Sequence, residues 1–208
     1  MKVGRVWNAC RLYGLWGLVG RCVLKVLSAV GIRLKVTYLY RKRLVQVVDE
    51  DCSGDRELFL PDFEKQVSVN PERFTPEKMQ RVRQSFGVEG NHAYGIYDGE
   101  VLAAYAWTAT RWLITEEHRL RDDTGFLWDD YTHPAYRGRG LHGKLVRIRE
   151  RELVKAGKTV ALVTVAFYNR ASKVAFERAG YVVRSKLYAY SIGSGPLRSK
   201  VRKVNTDD

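Results

Sequence analysis

Hydrophobic and polar positions recur with two different periods along the chain, and these periods predict its strands and helices. Runs rich in β-branched and aromatic residues predict strands at 36–48, 92–97, 101–109, 125–132 and 159–168, and either one long strand or a hairpin at 181–192. Apolar residues three and four positions apart predict helices at 6–30, 75–86, 140–155 and 169–179. From residue 36 onward, this order of strands, helices and one hairpin predicts a mixed α/β fold.

Local signals fix several of these boundaries. Thr75 is a good helix cap, and Pro76 suits the first helical turn. Asp98-Gly99 between two strand patterns is a strong hairpin signal. The remaining stretches predict loops: 51–57, the segments around Pro61 and Pro71, and the highly charged segment 111–124.

The predicted helix at 6–30 has one narrow polar stripe along an otherwise apolar surface. The stripe consists of residues three and four positions apart: Arg11, Gly14, Gly17, Arg21, Lys25 and Ser28. The longest uncharged run, Leu12–Gly20, is too short for a membrane span, which needs about 20 residues. Arg11 and Arg21 also fall where a signal peptide would be apolar or small. The pattern therefore predicts an amphipathic surface helix.

Charge separates this N-terminal segment from the rest of the chain. The 208 residues carry a formal net charge of +13, and residues 1–48 contain ten Lys and Arg and no acid. We therefore predict a basic arm at 1–48, a nearly neutral domain at 49–192 and a basic tail at 193–208. The arm suits an anionic membrane surface, the core of its own domain or a homodimer partner, whereas its apolar character disfavours nucleic acid. Three cysteines are too few for a disulfide scaffold, which favours a reducing, cytoplasmic location.

The segment His133–Lys144 carries the clearest chemical signal. Gly138, Gly140 and Gly143 let the backbone approach a ligand at the start of a predicted helix, where partial positive charge collects. Arg137 and Arg139 add full charges suited to phosphate. The spacing fits neither a Walker loop nor a Rossmann fingerprint. The same pattern would arise from a tight turn with two solvent-facing arginines that binds nothing. If the loop instead binds an anion, a pyrophosphate is the ligand that fits it best.

A second signature follows one apolar strand later. Asn169-Arg-Ala-Ser172 opens a predicted helix that passes through Phe176 and ends at Gly180-Tyr181. Together the two signatures resemble those of the GNAT superfamily of acyl-CoA-dependent N-acyltransferases, over about residues 94–190. That resemblance implies a mixed, largely antiparallel central sheet flanked by helices, to which this chain adds its N-terminal amphipathic helix.

The resemblance also implies a site for acetyl-CoA or another acyl-CoA. The loop amides would hold the pyrophosphate, the preceding strand would receive the pantetheine, and Asn169 would contact the pantetheine arm. The residues implied for acyl-CoA are Asp130, Tyr131, Thr132, Arg137, Gly138, Arg139, Gly140, Leu141, His142, Gly143, Lys144, Asn169, Ser172 and Phe176. No metal is implied.

The chain departs from the family pattern at the groups that move protons. His142 stands where the loop motif has Gly or Ala, and Phe176 stands where members often have a Tyr acid. No carboxylate lies in the first half of the 125–132 strand, so Asp129 and Asp130 are the candidate bases. Alternation along a strand places them on opposite faces. Tyr168 is the candidate acid, with Tyr136 as a further stand-in, although both are also expected as core or rim tyrosines.

These features predict a transferase that moves an acetyl or other short acyl group from acyl-CoA to a small amine acceptor. The basic helix favours an amino-sugar or lipid-linked acceptor at the inner membrane face, with the protein peripheral there. The missing acid and base favour the alternative, a non-catalytic module of the same fold that binds CoA or a partner.

Overall fold

The structure is a computed structural model, and it describes residues 2–45, 55–111, 120–193 and 198–203. Its helices are α1 Lys2–Ala29, α2 Leu60–Val69, α3 Pro76–Phe86, α4 Leu141–Lys155 and α5 Arg170–Arg178. Its strands are β1 Ile32–Arg43, β2 Asp55–Leu58, β3 Asn91–Asp98, β4 Val101–Ala109, β5 Thr124–Thr132, β6 Val160–Ala166, β7 Val182–Ile192 and β8 Arg198–Lys203. The predicted mixed α/β fold, with largely antiparallel strands, flanking helices and an additional N-terminal helix, is confirmed.

The chain forms two compact units, one of which is Arg43–Leu162. In this unit β2, β3, β4 and β5 pair antiparallel in that order. The predicted hairpin is confirmed, since Asp98 pairs with Val101 and Gly99 between them has a φ of +57°. That positive φ explains why a glycine follows Asp98 in the turn.

Strand β4 is buried on both faces and separates two cores within this unit. Tyr105 and Trp107 belong to the core formed with α2 and α3, where Phe63 stacks 5.7 Å from the Trp107 ring. Ala104 and Ala106 belong to the opposite core, formed with α4. The period-2 alternation of β4 produces this division, with large aromatic side chains on one face and small ones on the other.

The other unit comprises Met1–Lys42 and Val163–Asp208. In it β7 pairs antiparallel with β1 and with β8. Strand β6 carries the chain from one unit to the other. Residues 198–203, within the predicted basic tail, form the strand that pairs with β7.

Helix α1 packs on its own unit through glycines. It is interrupted at Gly14, which has a φ of +68° and a ψ of 168°. A Cβ on Gly17 would lie 2.6 Å from the Tyr168 carbonyl oxygen, and one on Gly20 would lie 2.7 Å from the Phe167 ring. The contact face is therefore the stripe that contains Gly14 and Gly17. No described helix is long and apolar enough to cross a membrane.

This packing leaves an apolar stripe of α1 exposed. Trp16 is 84% exposed and Val26 is 65% exposed. Among the side chains that the structure describes in α1 and the turn after it, the large apolar ones that are exposed are Trp16, Val19, Val23, Val26 and Val30, which we call the α1 stripe. The sequence left three occupants open for the apolar side of this helix, namely a membrane surface, the core of its own domain and a homodimer partner.

Several element predictions need correction. Residues around Pro61 form α2 rather than a loop, with the proline in the first turn and the Asp62 carboxylate accepting from the Phe59 amide. Part of the predicted 51–57 loop belongs to β2. The first strand begins at Ile32, four residues before its predicted start. The last three residues of its predicted span, 46–48, lie outside the described residues. The same holds for residues 112–119 of the predicted charged loop.

Candidate functional site

Strand β5 contains a bulge beside the candidate site. Two of its residues, Asp129 and Asp130, lie opposite a single residue of β4, Ala106. A bulge of this kind leaves part of the hydrogen-bond ladder unpaired and redirects the side chains. Asp129 takes up the distortion with a φ of +49°, in the left-handed region that Asp tolerates better than most residues.

The side chain of Asp129 lies on the α2 and α3 side of the sheet. Its carboxylate accepts a hydrogen bond from Lys78 Nζ and lies 3.5 Å from Arg73 Nη2. The Arg73 guanidinium lies 4.4 Å from the centre of the Tyr131 ring and donates to the Tyr105 hydroxyl. Burial lowers the pKa of Lys78, and the opposite charge of Asp129 counteracts this. Asp129 is thus paired with two cations.

The side chain of Asp130 lies on the opposite face, as alternation predicts. Its carboxylate forms an ion pair with Arg149 Nη2, and the Arg149 side chain is fully buried. Arg149 also donates to the main-chain oxygens of Leu145, at 3.1 Å, and Trp107, at 3.3 Å. This buried arginine of α4 therefore links the helix to the bulged strand by an ion pair and to the neighbouring strand β4 by a hydrogen bond.

The side chain of His142 also points toward Asp130, away from the loop. Its Nε2 lies 3.9 Å from Asp130 Oδ1. Burial lowers the pKa of His142, more strongly than the carboxylate of Asp130 raises it, so the neutral imidazole is favoured at neutral pH. The imidazole at this position, where the family has Gly or Ala, thus lies beside β5.

The Gly-rich loop opens α4 as predicted. A short 3₁₀ turn at Pro134–Tyr136 follows β5, and Gly138 and Gly140 have φ values of +84° and +76°. The first main-chain hydrogen bond of α4 is donated by Lys144 to Gly140, at 3.1 Å. The amides that precede Lys144 in the first turn have no acceptor within the helix, which is the arrangement that binds anions.

The loop has open space and positive charge where a phosphate would bind. A Cβ on Gly140 would meet no atom within 4 Å. Arg137 and Arg139 are exposed; Arg137 Nε donates to the Thr132 carbonyl at 3.3 Å, and the Arg139 guanidinium lies 4.9 Å from the Tyr136 ring. Guanidinium and amide donors suit a pyrophosphate, so the residues present fit that part of acyl-CoA. Among the described residues, no three His, Cys, Asp or Glu side chains form a group that could hold a metal ion.

The second signature lies in the other unit. Asn169 caps α5, its side-chain oxygen accepting from the Ser172 amide at 3.2 Å. Phe176 is buried, 5.2 Å from the Tyr181 ring. The Tyr168 ring lies 5.7 Å from Tyr13 in an edge contact. The capping and core contacts account for the motif locally, and the predicted roles of these residues toward CoA and proton transfer stay predictions.

Sequence reasoning missed three residues that the structure brings to Asp129 and Asp130, namely Arg73, Lys78 and Arg149. For Arg149 a signal exists, because it lies four positions after Leu145 and four before Leu153, on the apolar stripe of α4. A charged residue on such a stripe is buried unless it reaches water, and so requires a partner. For Arg73 and Lys78 no local signal distinguishes them from exposed cations.

Comparisons with known proteins found one family match and several similar folds. Residues 93–189 match the family of FR47-like proteins. A GNAT-family protein from Novosphingobium aromaticivorans has the same fold at 19% identity and a TM-score of 0.58, over 80% of this chain and 69% of that one. A GNAT-family acetyltransferase from Colwellia psychrerythraea has a TM-score of 0.56 at 13% identity, over 77% and 57% of the two chains. A GCN5-related N-acetyltransferase from Sphaerobacter thermophilus has a TM-score of 0.51 at 16% identity, over 89% and 57%.

The structural similarities and the family match support different conclusions. The chain spans little more than half the length of the Colwellia and Sphaerobacter proteins, and identities this low show the fold alone. No functionally curated protein matches the chain by sequence. The family match, however, contains β5, its bulge, the Gly-rich loop and the Asn169 signature in their expected order. Residues 93–189 of the chain therefore match the FR47-like family, and the fold is that of the GNAT-family structures.

Proposed function

We propose that the protein transfers an acetyl or other short acyl group from acyl-CoA to an amine. The observation that carries this proposal is the loop at 137–144, with two glycines at positive φ opening a helix directly after a bulged strand. In the reaction the amine nitrogen attacks the thioester carbonyl, the C–S bond breaks, and CoA leaves as a thiol after taking up a proton. The amine loses one proton on forming the amide.

The residues have separable roles in this proposal. The amides of 138–143 with Arg137, Arg139 and Lys144 bind the pyrophosphate, and the backbone of Asp130–Thr132 receives the pantetheine. An amide that the bulge releases from the ladder can stabilise the oxyanion. Asp129 faces the acceptor, whereas the carboxylate of Asp130 is a positioning group because it is paired with buried Arg149. Tyr168 keeps its predicted role as proton donor.

Thiol release and thermal stability together test this function. We expect millimolar acetyl-CoA to raise the melting temperature, since a ligand that binds only the folded state stabilises it. We also expect sustained thiol release that depends on an added amine, corrected for hydrolysis. Stabilisation by CoA without turnover on any amine would favour the non-catalytic alternative. No stabilisation at millimolar CoA would contradict the site itself.

A peripheral membrane location is the second part of the proposal. The α1 stripe is exposed along the helix, and the basic segment 1–48 has no acid. A helix with an outward apolar face and a cationic chain segment suits an anionic bilayer surface, where the apolar face enters the headgroup region. An acceptor presented at that surface would then be an amino sugar or a lipid-linked amine.

Vesicle flotation of the full-length protein tests this location. We expect the double variant Val19→Asp with Val26→Asp to lose at least about fivefold of its binding to phosphatidylglycerol-containing vesicles, because charged side chains resist burial at the headgroup boundary. The matched control changes two exposed valines of α2, Val67 and Val69, to Asp, and should bind like the wild type. Equal flotation of all three proteins would contradict the proposal. Dimerisation that the α1 variant abolishes, without vesicle binding, would favour the homodimer instead.

A further inference from the structure

The face of the bulge that carries Asp129 contains an excess of cations. Arg73 and Lys78 lie against one carboxylate, and their side chains retain 30% and 16% exposure. Arg81, one turn along α3 from Lys78, adds a further positive charge that acts on the Lys78 ammonium. Two contacting cations and one carboxylate leave a net positive charge that is partly shielded from water, which is costly unless an anion compensates it.

Hydrogen-bond donors in the same core are also unpaired. Among the residues that the structure describes, Arg73 Nε, Trp107 Nε1 and Trp128 Nε1 are buried and have no hydrogen-bond acceptor. Guanidinium and indole groups only donate, so the acceptor oxygens would come from a ligand or from water. All three belong to the cluster around the β5 bulge, where the Trp107 and Trp128 rings lie 5.1 Å apart.

The one carboxylate of this cluster adds a second requirement. Asp129 offers an incoming ammonium group its only negatively charged contact among the described members of the cluster. A ligand that matches the whole cluster would place an amine near Asp129 and anionic oxygens near Arg73. Tyr131, whose ring lies under the Arg73 guanidinium, holds that fork in place by a cation–π contact.

We propose that the amine acceptor carries an anionic oxygen group, a carboxylate or a phosphate, which Arg73 and Lys78 bind while Asp129 faces the amine. This inference rests on the proposed acyl transfer and narrows its acceptor class. A bidentate guanidinium contact with a carboxylate or phosphate is strong and directional, so Arg73 sets specificity and Lys78 contributes charge. Both residues bind the acceptor and take no part in moving protons.

Matched acceptors test the proposal. The pairs are phenylalanine with phenylalaninamide, and O-phosphoethanolamine with ethanolamine; each pair differs in one anionic group, and together they separate carboxylate from phosphate. Because the members of a pair also differ in intrinsic reactivity, the decisive quantity is how a variant changes their kcat/KM ratio. We expect Arg73→Gln to lower the preference for the anionic member of one pair by about 10- to 100-fold, mainly through KM.

Two further variants keep this test decisive. Arg83→Gln removes an exposed arginine of α3 that pairs with Glu64, and should leave every ratio unchanged. Lys78→Met should shift the ratio in the same direction as Arg73→Gln, and it replaces that variant if Arg73→Gln does not fold. If neither change alters the ratio in either pair, the inference is wrong.

A binding measurement separates this inference from the transferase proposal. N-acetylphenylalanine, its amide and N-acetylated O-phosphoethanolamine stand for the reaction products, and calorimetric titration needs no turnover. If no amine is acylated but an anionic product binds at least about tenfold more weakly to Arg73→Gln, the transferase proposal fails and the anion site stands. If amines are acylated and the product affinities do not depend on Arg73 or Lys78, the anion site is overturned and the transferase stands.

Discussion

Replacing Asp130 by Asn is expected to destabilise the protein by about 3–5 kcal/mol, because it leaves the guanidinium of Arg149 buried without its counter-charge. Arg149 is fully buried, and its other donors already serve the main-chain oxygens of Leu145 and Trp107. For a chain of this size such a loss lowers the melting temperature by on the order of 10 °C. Chemical denaturation with urea measures the free energy directly.

A matched ion pair on the surface provides the control. Glu64 pairs with Arg83 at 3.1 Å, but both side chains are about half exposed, so Glu64→Gln should cost less than about 1 kcal/mol. Adding Arg149→Met to Asp130→Asn removes the unpaired charge and should recover at least half of the loss, even if the single variant is too unstable to purify. A loss for Asp130→Asn no larger than that for Glu64→Gln would contradict the importance of the buried pair.

The parts of the fold that were predicted from sequence have local causes. The hairpin follows from Asp98-Gly99, and α3 begins where Thr75 accepts a hydrogen bond from the Lys78 amide. The loop at 137–144 was predicted for the same reason, since a helix start and glycine conformations depend on neighbouring residues. Its place after β5 was predicted from the strand pattern at 125–132 that precedes it.

The parts that were missed depend on distant residues. Simple alternation would place Trp128 and Asp130 on one face, but the bulge moves Trp128 to the face of Asp129, where it joins the Trp107 core. The bulge depends on the pairing of β5 with β4, which no local pattern reports. Likewise Lys78 and Asp129 are separated by 51 residues in sequence and meet only through the packing of α3 on the sheet.

Helix α1 illustrates the same limit. Its periodicity predicted an amphipathic helix without deciding which face meets the protein, and the contacts with Tyr168 and Phe167 are made at Gly17, within the polar stripe, and at Gly20, beside it. Small residues permit the approach of another segment whatever their hydropathy, so hydropathy alone could not identify the contact face. The exposed α1 stripe then becomes the surface to be explained, and the location experiment tests that surface.

Replacing Gly140 by Ala is expected to weaken acetyl-CoA binding by at least about tenfold. Gly140 has a φ of +76°, so an alanine strains the turn that aligns the amides of the first turn of α4. The change would also place a methyl group where the proposed pyrophosphate approaches the backbone. A tenfold change in Kd corresponds to about 1.4 kcal/mol, and calorimetric titration with acetyl-CoA resolves it.

The opposite end of the same helix supplies the control that separates binding from strain. Gly157 follows α4 with a φ of +74°, and, as at Gly140, an added Cβ would meet no atom within 4 Å. Both alanine variants should therefore lose a similar stability, about 1–2 kcal/mol, because both force a Cβ into the left-handed region. Only Gly140→Ala should also weaken acetyl-CoA binding, since only Gly140 lies in the loop proposed to bind phosphate. If the two variants bind acetyl-CoA equally well, the loop backbone does not hold the pyrophosphate and the site must be sought elsewhere.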